Sequence, residues 1–137
     1  MAKLFLLIIS DDDQRVEKIR TLLPELVTWG IIAGTSLFSA DFPTPLLNAD
    51  LLLIDLDGLN VRTEGLAWVA LCGDLFRPIA VITLSEVYDE AEALIYFGNG
   101  VSDYLSLADH SERFATVIST IALEGAVAER ASFAGET

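Results

Sequence analysis

Carboxylates stand at the ends of two apolar stretches of this chain. Asp11 and Asp12 follow the run 4–10, and Asp55 closes the run 51–55. In an open α/β sheet the carboxyl ends of parallel strands meet at one edge, where ligand sites are built. Converging carboxylate oxygens bind Mg²⁺, and a carboxylate attacks phosphorus once a cation neutralises the phosphoryl oxygens. The spacing of these acids therefore predicts a magnesium or phosphoryl-transfer site at a sheet edge.

Two hydroxyl side chains belong to later apolar stretches and are candidates for the same edge. Thr83 ends the fourth stretch, and Tyr104 lies in the fifth. A hydroxyl on a neighbouring strand can donate a hydrogen bond to a phosphoryl oxygen. Cations are scarce, because Lys3 and Lys18 are the only lysines of the sequence. We therefore expect no lysine from the second half of the chain to balance the carboxylates.

Strand-like and helix-like patterns alternate along the chain, which predicts βα units around a parallel sheet. The predicted strands are 4–10, 30–35, 51–55, 79–83 and 101–105. The predicted helices are 14–23, 65–72, 88–97 and 110–129, and Pro43 and Pro45 leave room for at most one helical turn at 46–49. The fold class is α/β, a doubly wound five-stranded parallel sheet in strand order 2-1-3-4-5. We expect one domain over residues 1–130 and a disordered tail over 131–137.

Composition excludes several classes of function. The net charge of −13 opposes binding to the phosphate backbone of a nucleic acid. The apolar runs are far shorter than the roughly 20 residues that a helix needs to cross a bilayer. Cys72 is the single cysteine, so no internal disulfide forms. We therefore expect a cytoplasmic protein that contacts neither nucleic acid nor membrane.

The order of these stretches resembles the receiver domain of response regulators, the phosphoacceptor module of two-component signalling and phosphorelays. The likeness covers residues 3–125. It rests on the acid pair after the first strand, on Ala49-Asp50-Leu-Leu-Leu-Ile-Asp55, on Pro78-Ile-Ala-Val-Ile-Thr83 and on Gly100-Val-Ser-Asp103-Tyr104. The resemblance implies a flavodoxin-like receiver fold with a shortened second helix.

The resemblance also assigns a role to each candidate residue. It implies that Asp55 is the phosphoacceptor and that Thr83 and Tyr104 form the switch that senses the phosphoryl group. It implies a Mg²⁺ site made by Asp11, Asp12, Asp55 and the backbone carbonyl of Asp57. Implied partners are a histidine kinase or phosphotransfer protein, other signalling proteins, and a second copy in a homodimer formed through residues 88–97, 101–105 and 110–129.

The chain departs from the family pattern at three positions. The family's lysine falls on Leu107, the proline after it falls on Ala108, and the small residue after the hydroxyl is Leu84. These departures predict an atypical, non-enzymatic receiver in which phosphorylation at Asp55 is possible but impaired. The acids and Thr83 favour control by phosphorylation, whereas Leu107 and Leu84 oppose it. Arg62, in the loop after the third strand, is a candidate for the missing cation.

An enzyme is the alternative. The segment Leu52-Leu-Leu-Ile-Asp55-Leu-Asp57-Gly58 also resembles the first motif of haloacid-dehalogenase-like phosphatases. In that family Asp55 would be the nucleophile and Asp57 the general acid/base. Such enzymes need a downstream lysine, and none follows Lys18.

The acid cluster carries an electrostatic expectation of its own. Two carboxylates ~5 Å apart repel by about 3 kcal/mol at an effective dielectric constant near 20. Without a cation, at least one of Asp11, Asp12 and Asp55 should therefore have a raised pKa.

Overall fold

The computed structural model describes residues 4–25, 27–35, 46, 48–74 and 79–136, with side chains described up to residue 121. Five parallel strands form one sheet in the order β2-β1-β3-β4-β5, which confirms the predicted topology. The strands are β1 (Leu4–Ile9), β2 (Val27–Ile32), β3 (Leu51–Asp55), β4 (Ala80–Ser85) and β5 (Asp103–Ser106). Every residue of β3 is buried, because helices cover both faces of a parallel sheet.

Four α-helices and a short 3₁₀ turn after β3 surround the sheet in the described part of the chain. They are α1 (Asp13–Thr21), the 3₁₀ turn Leu56–Gly58, α2 (Glu64–Gly73), α3 (Glu90–Gly98) and α4 (Leu107–Glu136). On one face of the sheet, Trp68 of α2 and Tyr96 of α3 belong to one hydrophobic core. On the other face, Ile19 of α1 and Phe114 of α4 belong to a second core. No helix of the described residues is long and apolar enough to cross a membrane.

Several element boundaries differ from those predicted. β2 starts three residues earlier than expected, and β4 continues to Ser85, two residues beyond the predicted end. The last helix begins at Leu107, with non-helical backbone at His110, and continues to Glu136. The region 131–136, for which a disordered tail was expected, is therefore helical. Of the single turn predicted at 46–49, only position 47 lies outside the described residues, and the Ala49 amide donates to the Leu46 carbonyl oxygen at 3.4 Å.

The carboxyl end of the sheet gathers nearly all of the polar residues that the described core contains. The buried polar residues are Ser10, Asp55, Thr83, Ser85 and Ser106, each no more than 4% exposed. Asp55 pairs with Leu84, and Ser85 pairs with Ser106 in the parallel register. All of them except Thr83 lie at or just beyond the last residue of a strand. The sheet therefore positions one polar site at this edge.

Candidate functional site

Asp55 is held by an arginine of the first helix. The guanidinium of Arg15 donates from Nε to both carboxylate oxygens of Asp55, at 2.9 Å each, and from Nη2 to Oδ1 at 2.7 Å. The Ser10 hydroxyl donates to Oδ2 at 3.0 Å. The Asp55 side chain is 0% exposed, whereas that of Arg15 is 15% exposed. Both oxygens of the expected phosphoacceptor are therefore engaged and shielded from solvent.

Local structure explains why Arg15 reaches this carboxylate. The side chain of Asp12 accepts hydrogen bonds from the amides of Gln14 and Arg15, at 3.0 and 3.2 Å, and so caps the start of α1. Val16 and Ile19 are buried in the core beneath the helix, which fixes its rotation. Arg15 then lies in the first turn, close to the carboxyl ends of β1 and β3. Its Nη1 also donates to Glu86, at 3.1 Å.

A second arginine organises the other side of the site. Arg62 donates from Nη1 to Asp57 at 2.6 Å and from Nη2 to the Ser85 hydroxyl at 2.6 Å. Its Nε and Nη2 each donate to one oxygen of Glu92, at 2.6 Å. The second oxygen of Asp57 accepts from the Glu86 amide at 2.6 Å. Arg62 thus pairs with Asp57 and Glu92, whereas Arg15 is the cation that contacts Asp55.

Burial and these contacts shift the acidity of the carboxyl groups in opposite directions. Burial raises the pKa of Asp55, against the opposing hydrogen bonds and charge of Arg15. Partial burial would also raise the pKa of Asp57. The hydrogen bond from the Glu86 amide and the charge and hydrogen bond of Arg62 outweigh burial, so the pKa of Asp57 is lowered. The hydrogen bonds from Arg62 lower the pKa of Glu92. The expectation of a raised pKa agrees with Asp55, but burial is the largest cause rather than repulsion between carboxylates.

The two hydroxyl residues chosen from the sequence occupy different places. Thr83 pairs with Ile54, two residues before the end of β4, and its hydroxyl donates to the carbonyl oxygen of Asp103 at 3.4 Å. Ser85 lies at the strand end instead, 3.4 Å from an Asp57 oxygen. Tyr104 is 1% exposed, and its hydroxyl donates to Glu92 at 2.5 Å. The geometry therefore favours Ser85 over Thr83 as the hydroxyl of the site, because β4 is longer than predicted.

Leu84 and Leu107, the positions that depart from the family pattern, are core residues. They are 0% and 4% exposed and belong to the cluster that contains Phe114. Leu107 therefore presents no polar atom to Asp55. The charge that a lysine would supply at this position comes from Arg15, on the other side of the site.

Two side chains of the predicted metal site, those of Asp12 and Asp55, already have protein partners in this structure. The side chain of Asp55 is held by Arg15, and that of Asp12 caps the start of α1. The implied ligand at Asp57 is its backbone carbonyl oxygen, which the pairing of its side chain with Arg62 does not involve. Within the described ranges, no three Asp, Glu, His or Cys side chains come together as a metal-binding group. Asp11 lies nearby and accepts from the Thr35 amide at 3.5 Å. Asp55 can therefore bind Mg²⁺ only if the cation displaces Arg15, and the ligand set implied by the resemblance stays a prediction.

An open cleft lies above this edge, but Asp55 is not part of its wall. The cleft has a volume of about 430 Å³ and is lined by residues of two segments, 11–14 and 57–60. Asp55 is buried beneath it, next to Gly58. A Cβ atom at position 58 would collide with the Ser10 hydroxyl and with Asp55 Oδ2. Glycine at this position is therefore required for the close approach of the 3₁₀ turn to the carboxylate.

Sequence reasoning missed Arg15, Ser10, Glu86 and Glu92. A signal for Arg15 was present, because it stands next to Val16 in the first turn of a helix that begins beside the acid pair. Ser10 directly precedes that pair. Glu86 and Glu92 carry no comparable signal, because their partners are distant in sequence.

Comparison with solved structures shows that this fold is that of response-regulator receiver domains. A response regulator receiver protein from Pseudoalteromonas atlantica matches with a TM-score of 0.71 and 13% identity, over 89% of this chain and 98% of that one. A signal receiver domain of a two-component histidine kinase from Clostridium thermocellum matches with a TM-score of 0.66 and 16% identity, over 85% and 95%. The RcsB response regulator of Salmonella typhimurium matches with a TM-score of 0.72 and 16% identity, over 90% of this chain and 62% of that one.

In sequence, no family model and no curated protein matches the chain. At identities of 13–16% the structural likeness establishes the fold alone. The fold that the sequence resemblance implied is thereby confirmed.

Proposed function

We propose that this chain is a receiver-like signalling module that acts through protein–protein contacts and whose Asp55 is not a working phosphoacceptor. The observation that carries the proposal is the three-contact pairing of Arg15 with a fully buried Asp55. A carboxylate attacks phosphorus through a free oxygen that the phosphodonor can reach. Here both oxygens already accept charge-assisted hydrogen bonds, and the donor would have to displace Arg15 first.

A non-enzymatic role is supported over the phosphatase alternative by the state of Asp57. A general acid works best when its pKa is raised towards the working pH. The pKa of Asp57 is lowered instead, and both of its oxygens accept hydrogen bonds from Arg62 and the Glu86 amide. Asp57 is thus stabilised as an anion and is poorly suited to deliver a proton.

The surface proposed for partner contacts is α3 together with the loop before it. Five large apolar side chains there are between 41% and 67% exposed: Val87, Tyr88, Leu94, Ile95 and Phe97. Contiguous exposed apolar residues on a small domain commonly mark an interaction site. No lysine or arginine occurs between Arg77 and Arg113 in the sequence, so a partner with basic residues at its rim would complement this surface. The homodimer implied by the family resemblance stays a prediction, which sedimentation velocity at high protein concentration measures.

Acetyl phosphate labelling followed by intact-mass analysis tests the proposal. The wild-type chain should gain no phosphoryl adduct, with or without Mg²⁺, and Asp55→Asn should behave identically. Arg15→Ala is the informative variant, because it frees the Asp55 oxygens without altering the acids. Rapid stoichiometric labelling of the wild-type chain that Asp55→Asn abolishes would overturn the proposal.

A further inference from the structure

Arg62 and Glu92 connect four elements at the carboxyl end of the sheet. Arg62 lies in the turn before α2 and contacts the 3₁₀ turn through Asp57 and the end of β4 through Ser85. Its two hydrogen bonds to Glu92 reach across to α3. The exposed fractions of the Arg62 and Glu92 side chains are 35% and 19%, so the pair is partly shielded from water.

Glu92 extends this arrangement to β5 through Tyr104. The Tyr104 hydroxyl donates to the same Oε1 atom that accepts from Arg62. The ring of Tyr104 lies between two others, stacked on Tyr96 at 6.2 Å and edge-on to Tyr88 at 5.4 Å. Tyr104 is therefore held at both its ring and its hydroxyl group.

The apolar contribution of α3 to the core is small, which makes these polar contacts important. Of its nine residues, Ala93 and Tyr96 are the ones that are buried. A short helix with two buried side chains gains little from burial alone, and charge-assisted hydrogen bonds then decide its position. Arg62 holds α3 in position without contacting Asp55, so the role of Arg62 is separate from that of Arg15.

We propose that Arg62 and Glu92 form an intramolecular lock that holds Tyr104 and α3 in one position without a phosphoryl group on Asp55. The lock fixes the apolar surface of Leu94, Ile95 and Phe97 in a constant orientation. Its part in signalling rests on the function proposed above, which assigns partner contacts to this surface. The geometry of the lock does not depend on that proposed function, because none of the contacts in the lock involves Asp55.

Nitration by tetranitromethane, read out at each tyrosine by peptide mass spectrometry, tests the lock on the full chain. Two tyrosines serve as internal standards, because Tyr88 is 41% exposed and Tyr96 is 2% exposed. In the wild-type chain Tyr104 should react as slowly as Tyr96, with and without acetyl phosphate. In Glu92→Gln and in Arg62→Met, nitration of Tyr104 should rise roughly tenfold relative to Tyr96, as expected for the loss of a hydrogen bond to a charged group.

Arg113→Met is the matched control. It removes an exposed ion pair with Asp103, next to Tyr104 in the chain, and should leave the nitration pattern unchanged. Unchanged Tyr104 reactivity in a folded Glu92→Gln variant would overturn the lock, and so would an equal rise at Tyr96 and Tyr104, which signals general loosening. Glu92→Gln preserves side-chain shape, so it remains informative even if Arg62→Met does not fold. Phosphoryl labelling at Asp55 would refute the proposed function. The nitration pattern tests the lock independently of that result.

Discussion

Replacing Arg15 by methionine should leave the carboxylate of Asp55 buried without its counter-charge. Methionine keeps much of the length and packing of the arginine side chain but has no donor. Asp55 would then retain only the hydrogen bond from the Ser10 hydroxyl. We therefore expect the folded state at neutral pH to be destabilised, with α1 and the sheet otherwise preserved.

The magnitude follows from the burial of the pair. Removing one partner of a buried ion pair costs about 3–5 kcal/mol, and the 15% exposure of Arg15 places this case at the lower end, near ~3 kcal/mol. With a urea slope of about 1.5 kcal/mol/M, the unfolding midpoint falls by about 2 M. In an Asp55→Asn background the same substitution should cost about 1 kcal/mol or less, because no buried charge is left behind. The coupling energy between the two positions is then about 2 kcal/mol.

Urea unfolding of the four variants at pH 7, followed by tryptophan fluorescence and circular dichroism, measures this cycle. Arg20→Met is the control on the same helix, because it removes an exposed ion pair with Glu17 and should leave the midpoint unchanged. A coupling energy near zero, or an Arg15→Met midpoint equal to that of Arg20→Met, would refute the pairing of Arg15 with Asp55.

Three further predictions follow from the same site. Gly58→Ala should lower the free energy of unfolding by about 1–3 kcal/mol because the new methyl group meets the Asp55 carboxylate, whereas Gly98→Ala has open space and should not; urea unfolding compares the two. Millimolar Mg²⁺ should leave the melting temperature of the wild-type chain unchanged, because Arg15 already neutralises Asp55; a rise of several degrees in differential scanning fluorimetry would contradict this. The pKa of Glu92 is lowered in the folded state. Its ionised carboxylate therefore stabilises the fold above about pH 4.3, the ordinary pKa of Glu in an unfolded chain, and this contribution is lost as the pH falls through the folded pKa. The difference in unfolding free energy between wild type and Glu92→Gln should therefore become smaller in acid, which urea unfolding at several pH values measures.

The alternation of apolar runs and helical periodicity was enough to predict the sheet and its strand order. Strand ends were harder to place, because Ile82, Thr83, Leu84 and Ser85 all suit a strand and carry no stop signal. In the parallel register of β4 and β5, Ser85 pairs with Ser106, and β4 ends at Ser85 rather than at Thr83. The hydroxyl at the end of β4 is consequently that of Ser85, beside Asp57, and the switch role of Thr83 stays a prediction.

The identity of the counter-cation could not be predicted from composition alone. Arg62 was the candidate because it follows β3 in the chain, but its guanidinium is taken up by Asp57 and Glu92. Arg15 reaches Asp55 because buried Val16 fixes the rotation of α1, which is a consequence of packing. Which carboxylate an arginine pairs with depends on the orientation of its helix, and sequence spacing predicts that orientation only weakly.

An exchangeable ion and a tethered arginine have different consequences for a buried carboxylate. A divalent cation can leave or change its ligands, so a site built on one can respond to its surroundings. Arginine remains charged at all physiological pH values and presents a rigid planar fork that matches a carboxylate. In this chain the fork of Arg15 is attached to α1, and its contacts with Asp55 and Glu86 connect α1 to β3 and to the loop after β4. We therefore infer that the charge at the sheet edge serves to fix the arrangement of the loops.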